Sequence, residues 1–292
     1  MLLAGLEACV TRAIEVEPRK DDYAMGRTPA EYERLRRQAR ILEPAARRVL
    51  EQIGVAPGMC CVDVGCGPGE VMRLMGDLVG PSGRVVGIDL DSTLGAQALA
   101  MLRERGTCSF EFVEADAASM DQLSGGACDL AYARLVLIHA QYPAVLLRRM
   151  YGWLDPGGYL VVQDFDLKGM DVDAAGEAGR EFLRVGLGVF QALGLDPQTG
   201  QNLPYYFRTA GLGRPDGTDI SGILSPMATV APMMEGVFRS VPPHALRLGL
   251  TTQARSELLL ADLAALANRD DVWGRWPLLM SAWKRKPLDP SH

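Results

Sequence analysis

The stretch Val62-Asp63-Val64-Gly65-Cys66-Gly67-Pro68-Gly69-Glu70 decides the fold. The apolar lead from Met59 to Val64 reads as a buried strand. Glycines at alternate positions then make a tight strand-to-helix turn, where a ligand can approach bare backbone. A second apolar run, Arg84-Val85-Val86-Gly87-Ile88, closes on Asp89. A carboxylate at the tip of the neighbouring strand is where the hydroxyls of a nucleotide ribose are held. The turn alone is a weak signal. The turn, its flanking strands and the acid at this spacing are together a strong one.

Working outward, strand and helix patterns alternate from Met59 to Gln163. Strands are expected at 59–64, 84–88, 110–113, 128–133 and 158–163, with helices near 69–79, 92–105, 119–123 and 143–153. Pro81-Ser82-Gly83, Gly125-Gly126 and Pro156-Gly157-Gly158 punctuate them as turns. Regular alternation predicts a parallel sheet with helices on both faces, and right-handed crossovers put all strand tips on one ligand-binding rim.

Upstream, Leu3, Leu6, Val10, Ala13 and Ile14 recur at helical spacing, and 18–27 reads as a loop. One helix is expected from Pro29 to about Arg40 and another from Pro44 to Ile53. Downstream, Gly176 to Leu193 reads as a helix, Thr252 to Asn268 as a second, and Trp276 to Trp283 as a strand. Residues 196–245 are rich in Pro, Gly and Met without a clear period, and are expected to be an insertion covering the rim. The expected domains are a helical lid at 1–54, a core at 55–169, a substrate cap at 170–250, and a returning helix and strand at 251–292.

The chain has 292 residues, 48% of them apolar, and a net charge of −6. Length and apolar content support a sizeable core. The acidic balance argues against a nucleic-acid partner. Seven arginines between Arg27 and Arg48 stand against three glutamates and read as a solvated helix with interleaved ion pairs. The six cysteines lack zinc-site spacing, so reduced thiols in a cytoplasmic protein are expected, with no metal. No leader pattern and no membrane-length apolar run is seen.

The rim residues narrow the ligand. Glu70 stands where a dinucleotide fingerprint wants glycine, and its carboxylate would face a pyrophosphate. S-adenosylmethionine has no phosphate, and its positive sulfonium tolerates nearby acids. Phe110-Glu111-Phe112-Val113 leads to Asp116 and Ala117, an acid and an amide suited to adenine. The next strand leads into Arg134 and then His139.

On these residues the chain resembles the class I S-adenosylmethionine-dependent methyltransferases. It is most similar to the small-molecule branch that includes ubiquinone/menaquinone methyltransferases and actinobacterial natural-product enzymes. The motifs are 62–70, Gly87-Ile88-Asp89, Ala115-Asp116-Ala117, Tyr132-Ala133-Arg134 with His139, and Leu154-Asp155-Pro156-Gly157-Gly158. The resemblance covers about 23–168, and 276–287 resembles the closing strand of that family. The resemblance implies a Rossmann-like, doubly wound α/β fold with a mostly parallel seven-stranded sheet. It also implies an N-terminal helical lid, and a homo-oligomer through the N-terminal helix is a candidate assembly.

By position, the resemblance places Gly65, Gly67 and Gly69 against the cofactor, supported by Asp63. Asp89 would hold the ribose and Leu90 would pack on adenine. Asp116 and Ala117 would meet the adenine edge, with Arg134 at the same rim. Tyr23, Tyr32 and Gln38 are the lid residues expected over it. His139 is the candidate catalytic base, and His139, Asp164 and Tyr206 are the expected acceptor contacts. Asp63 and Asp116 also suit plain capping roles, and His139 and Tyr32 plain packing. Rival readings are an NAD(P)-dependent oxidoreductase, a non-catalytic adenosine-binding scaffold and a macromolecular methyltransferase.

Overall fold

A computed structural model describes residues 28–288. The helix expected at 1–14, the loop at 18–27 and Tyr23 therefore lie outside the described residues, as does any pairing through that helix. Helix α1 (Pro29–Gln52) starts where the Thr28 hydroxyl accepts the Glu31 N–H, with proline in the first turn. It is one helix and not the expected two. Pro44 lies inside it, and Leu42, Ala45, Ala46, Val49 and Leu50 bury one continuous face across the proline. That burial outweighs the donor which proline withholds from the ladder.

The alternation follows as β1 (Cys60–Val64), α2 (Glu70–Val79), β2 (Arg84–Asp89), α3 (Ser92–Arg105) and β3 (Ser109–Glu114). Next come β4 (Cys128–Arg134), α4 (Pro143–Gly152) and β5 (Leu154–Asp166). The helix expected at 119–123 is instead a single tight turn at Ala117–Ser119, capped by the Asp116 side chain. Beyond β5 lie α5 (Gly176–Ala192), α6 (Leu203–Thr209), β6 (Gly217–Ser221), β7 (Leu224–Pro226), α7 (Met227–Ser240) and α8 (Pro242–Arg247). The described chain closes with α9 (Gln253–Leu266), β8 (Trp273–Arg275) and β9 (Leu278–Arg285).

Seven strands form one sheet in the order β3-β2-β1-β4-β5-β9-β6, while β7 and β8 pair separately. Strands β1 to β5 run parallel, and β9 lies antiparallel between β5 and β6. The order reverses between β1 and β4, so a crevice opens at the tips of these strands. One face of the sheet packs on α4 and α6, the other on α1, α2 and α3. This is the expected doubly wound, Rossmann-like α/β fold.

The cap has its own apolar core, built on Val185, Val189, Met227, Met234, Phe238, Leu259 and Leu263. Two expected boundaries change accordingly. Within 170–250, α6 and β6 belong to the sheet domain. Within 251–292, α9 belongs to the cap, because Leu259 and Leu263 are buried against α5 and α7 while Leu258 is exposed. Among the described residues no helix is long and apolar enough to cross a membrane. Nor does any cluster of His, Cys, Asp and Glu there suit a metal ion. Cys60, Cys61, Cys66, Cys108 and Cys128 are unbridged.

Candidate active site

Gly65, Gly67 and Gly69 all take left-handed backbone, with φ of 65°, 50° and 79°. At Gly65 space adds a second requirement, since a Cβ there would lie 2.4 Å from Val136 Cγ2. The N–H groups of Gly65 and Cys66 donate to the Ile88 carbonyl at 2.8 and 3.2 Å, tying the turn to β2. Asp89 completes the tie. It accepts the Gly67 N–H at 2.8 Å and the Asp91 N–H at 2.9 Å. Two bonds leave a carboxylate with acceptor positions to spare. Burial pushes Asp89 up from its ordinary value, against the pull of these amides. Gly69 does not face the crevice as expected. It packs against Ala98 and Leu102 of α3 and serves the turn alone.

Asp63 lies at the bottom of the crevice, 2% exposed. Its Oδ2 has no hydrogen-bond partner among the described residues. Burial pushes the carboxyl up to about 7, although the Arg134 cation pulls the other way. Arg134 ends β4 and makes no ion pair among the described residues. Glu70, where the dinucleotide glycine would be, is 6% exposed and faces Arg40 at 3.5 Å and Arg73 at 3.2 Å.

After Arg134 the chain turns sharply at Leu135, whose φ is 56°. Asp164 holds this turn from below, accepting the Ile138 N–H at 3.1 Å and the Phe165 N–H at 2.9 Å. It is fully buried, and burial pushes it up to about 7. The expected acceptor contact at Asp164 is therefore replaced by a supporting role. The same turn presents His139, whose ring sits 6.3 Å from the Phe190 ring. Burial, with the Arg34 cation nearby, pushes His139 down to about 4, so the imidazole is neutral at physiological pH. Asp116 spends its carboxylate on the Ala118 N–H at 2.9 Å and the Ser119 hydroxyl at 3.0 Å, while still facing the crevice.

Helix α1 roofs the crevice. The Tyr32 hydroxyl donates to Asp91 at 2.7 Å. Arg34 donates to Gln38 at 2.5 Å and, through two nitrogens, to Glu31 at 2.6 and 2.8 Å. A single cavity of about 1170 Å³ runs from the strand tips to the cap. Tyr32, Gln38, Asp63, Gly65, Gly67, Asp89, Leu90, Asp116, Ala117, Arg134 and His139 all line it. Tyr206 does not. Its hydroxyl donates to Asp196 at 2.7 Å on the far side of the sheet domain, and Phe207 is sealed in the core beside it. From the cap, Phe182, Phe190, Met233, Met234 and Phe238 reach the cavity, joined by Phe165 and Trp276.

Residues 62–162 match the model of a methyltransferase domain family. Over this span the chain is similar to methyltransferase domains. Trans-aconitate 2-methyltransferase of Paracidovorax citrulli is 35% identical over 118 residues, covering 40% of this chain and 43% of that protein. Phosphoethanolamine N-methyltransferase 1 of Arabidopsis thaliana is 32% identical over 120 residues, covering 41% and 23%. The chain thus spans less than half the length of the curated relatives it matches. A solved structure from Bacillus halodurans C-125, assigned as a methyltransferase, superposes with a TM-score of 0.53 at 18% identity, covering 83% of this chain and 99% of that one. That likeness extends the shared fold beyond residues 62–162.

Residues that sequence reasoning missed are Glu31, Arg34, Phe165 and Trp276. Arg34 and Glu31 look like their neighbours in an arginine-rich helix, and only their burial sets them apart.

Proposed function

We propose that the protein transfers a methyl group from S-adenosylmethionine to a small, apolar metabolite. The observation that carries this reading is one continuous cavity with two unlike halves. The strand-tip half is polar and glycine-floored, and the cap half is aromatic and thioether-lined. Its size slightly exceeds the roughly 300–1,000 Å³ of single-ligand sites, as suits a cofactor and an acceptor together.

The strand-tip half fits the cofactor. Asp63, buried with an unpartnered oxygen, suits the ammonium of the methionine moiety. The guanidinium of Arg134, without an ion pair among the described residues, suits its carboxylate. Asp89 has acceptor capacity left for the ribose hydroxyls, and Leu90, 46% exposed, offers an apolar surface to adenine beside Asp116. Glu70 leaves no place for a pyrophosphate.

Bound S-adenosylmethionine would supply a methyl carbon already activated by a positive sulfonium. The chain's own contribution is then to bind, to orient and to exclude water. The cap holds the acceptor by apolar contact, and Tyr32 and Gln38 roof the cofactor half. His139 lies between the halves as a neutral imidazole. A ring held near 4 is a weak base, so its stronger role is to accept a hydrogen bond and aim the acceptor. An acceptor of this kind belongs to natural-product or quinone-type biosynthesis.

Calorimetry with S-adenosylhomocysteine and NADH tests the cofactor. The first should bind and the second should not; the reverse result would sink the reading. Methyl-labelled S-adenosylmethionine added to cell extracts with and without the protein should then mark the acceptor in the apolar fraction.

A further inference from the structure

The cap half of the cavity contains one arginine, and that arginine is already neutralised. Arg34 is 9% exposed and Glu31 5%. Two guanidinium nitrogens of Arg34 are spent on Glu31, and a third on Gln38. The arginine stem is pressed onto α7, where a Cβ at Gly236 would lie 2.6 Å from Arg34 Cδ. The guanidinium is thus fixed in place, lining the cavity beside His139. Among the described residues, the other charged side chains lining the cavity are elsewhere. They are the acids and Arg134 of the strand-tip floor, and Arg148 and Arg149 on α4, both open to solvent.

We propose that Glu31 sets the charge of the acceptor: by pairing with Arg34 where α1 meets the cap, it makes this half of the cavity a chamber for an uncharged, apolar molecule and rejects carboxylate- or phosphate-bearing ones. The inference rests on the methyl-transfer reading for what the chamber is used for, but the charge selection stands on the ion pair alone. An anion entering the chamber must shed its water, and it meets a guanidinium whose charge Glu31 already balances. An uncharged chain faces no such cost and gains apolar burial. An arginine without Glu31 would do the opposite and draw anions in.

The test uses 1-decanol and decanoate at pH 8, which share a chain length and differ in head charge. The full chain is first saturated with S-adenosylhomocysteine, so that Arg134 is occupied. The wild-type protein should bind decanol, and decanoate at least about tenfold more weakly. Glu31→Gln should raise decanoate affinity by about tenfold or more and leave decanol within about threefold. Adding Arg34→Met to that variant should restore the original preference. Equal wild-type affinities, failure of decanol to bind, or a folded Glu31→Gln protein with an unchanged ratio each overturns the proposal. Should Glu31→Gln alone not fold, as judged by thermal melting, the wild-type ratio and the double variant still decide. Failure to bind S-adenosylhomocysteine counts against the methyl-transfer reading instead, and the decanol-to-decanoate ratio is then read without it.

Discussion

Replacing Asp63 by Asn should make the ligand-free protein more stable and the ligand-bound protein harder to form. Burial lifts the Asp63 carboxyl from its ordinary 3.8 to about 7. The folded state therefore holds the proton more tightly than the unfolded state. Stability is greatest below 3.8, falls as pH climbs from 3.8 to 7, and carries the full cost above 7. The difference of about 3.2 corresponds to about 4 kcal/mol. Asparagine removes the charge and keeps the shape, but leaves an amide without a partner at a cost of about 1–3 kcal/mol. The variant should then exceed the wild type by about 1–3 kcal/mol at pH 8, and that advantage should shrink by about 2–3 kcal/mol at pH 5. Asp164, also lifted to about 7, is common to both proteins and cancels. Binding should move the other way. Wild-type affinity for S-adenosylhomocysteine should fall about tenfold per pH unit below 7, as Asp63 takes up its proton, while the variant binds weakly at every pH. Urea denaturation at pH 5 and 8, with calorimetry across the range, reads both. A variant less stable at pH 8 by an amount independent of pH, with normal ligand affinity, would refute the reasoning.

Gly65→Ala should cost about 1–2 kcal/mol for left-handed backbone alone, and more for displacing Val136 from 2.4 Å. It should also weaken S-adenosylhomocysteine binding; scanning calorimetry and titration check this, and unchanged binding would remove the turn from the cofactor site. His139→Ala should lower turnover on the labelled acceptor and leave S-adenosylhomocysteine affinity nearly unchanged. Because the ring is pushed down to about 4, turnover should show no His139 inflection between pH 6 and 9. An inflection near 6.5 that vanishes in the variant would make His139 a titrating base after all.

What could be read from the chain, and what could not, follows from the range of the forces involved. The glycine turn was legible because its requirement is local: left-handed backbone at Gly65, Gly67 and Gly69 is written in those residues themselves. The strands β1 to β5 were legible because both faces are covered and their apolar runs are nearly continuous. Strand β6 was not. Gly217-Thr218-Asp219-Ile220-Ser221 lies at the sheet edge, with Ile220 61% exposed, so no apolar run marks it. The division at Pro44 failed for a related reason, since a local breaker lost to burial along the whole length of α1.

The cap half of the cavity depends most on distant contacts, and composition misleads there. Phe182, Phe190 and Phe238 face the cavity, while Tyr205, Tyr206 and Phe207 do not, although all six are aromatic residues of the same segment. What separates them is which helix carries them: α5 and α7 close over the strand tips, and α6 packs behind the sheet against α4. The same holds for charge. Arg34 differs from Arg36, Arg37 and Arg40 only because α7 lies against its stem, a contact across about 200 residues of sequence. Sequence periodicity is a local signal and does not register such a meeting. On the proposed function, the cofactor would sit on local backbone and the acceptor among long-range packing, so the acceptor contacts could change while the cofactor contacts stay. On the same proposal, the determinants of specificity lie where α1 meets the cap, and Glu31 and Arg34 are the first residues to change there.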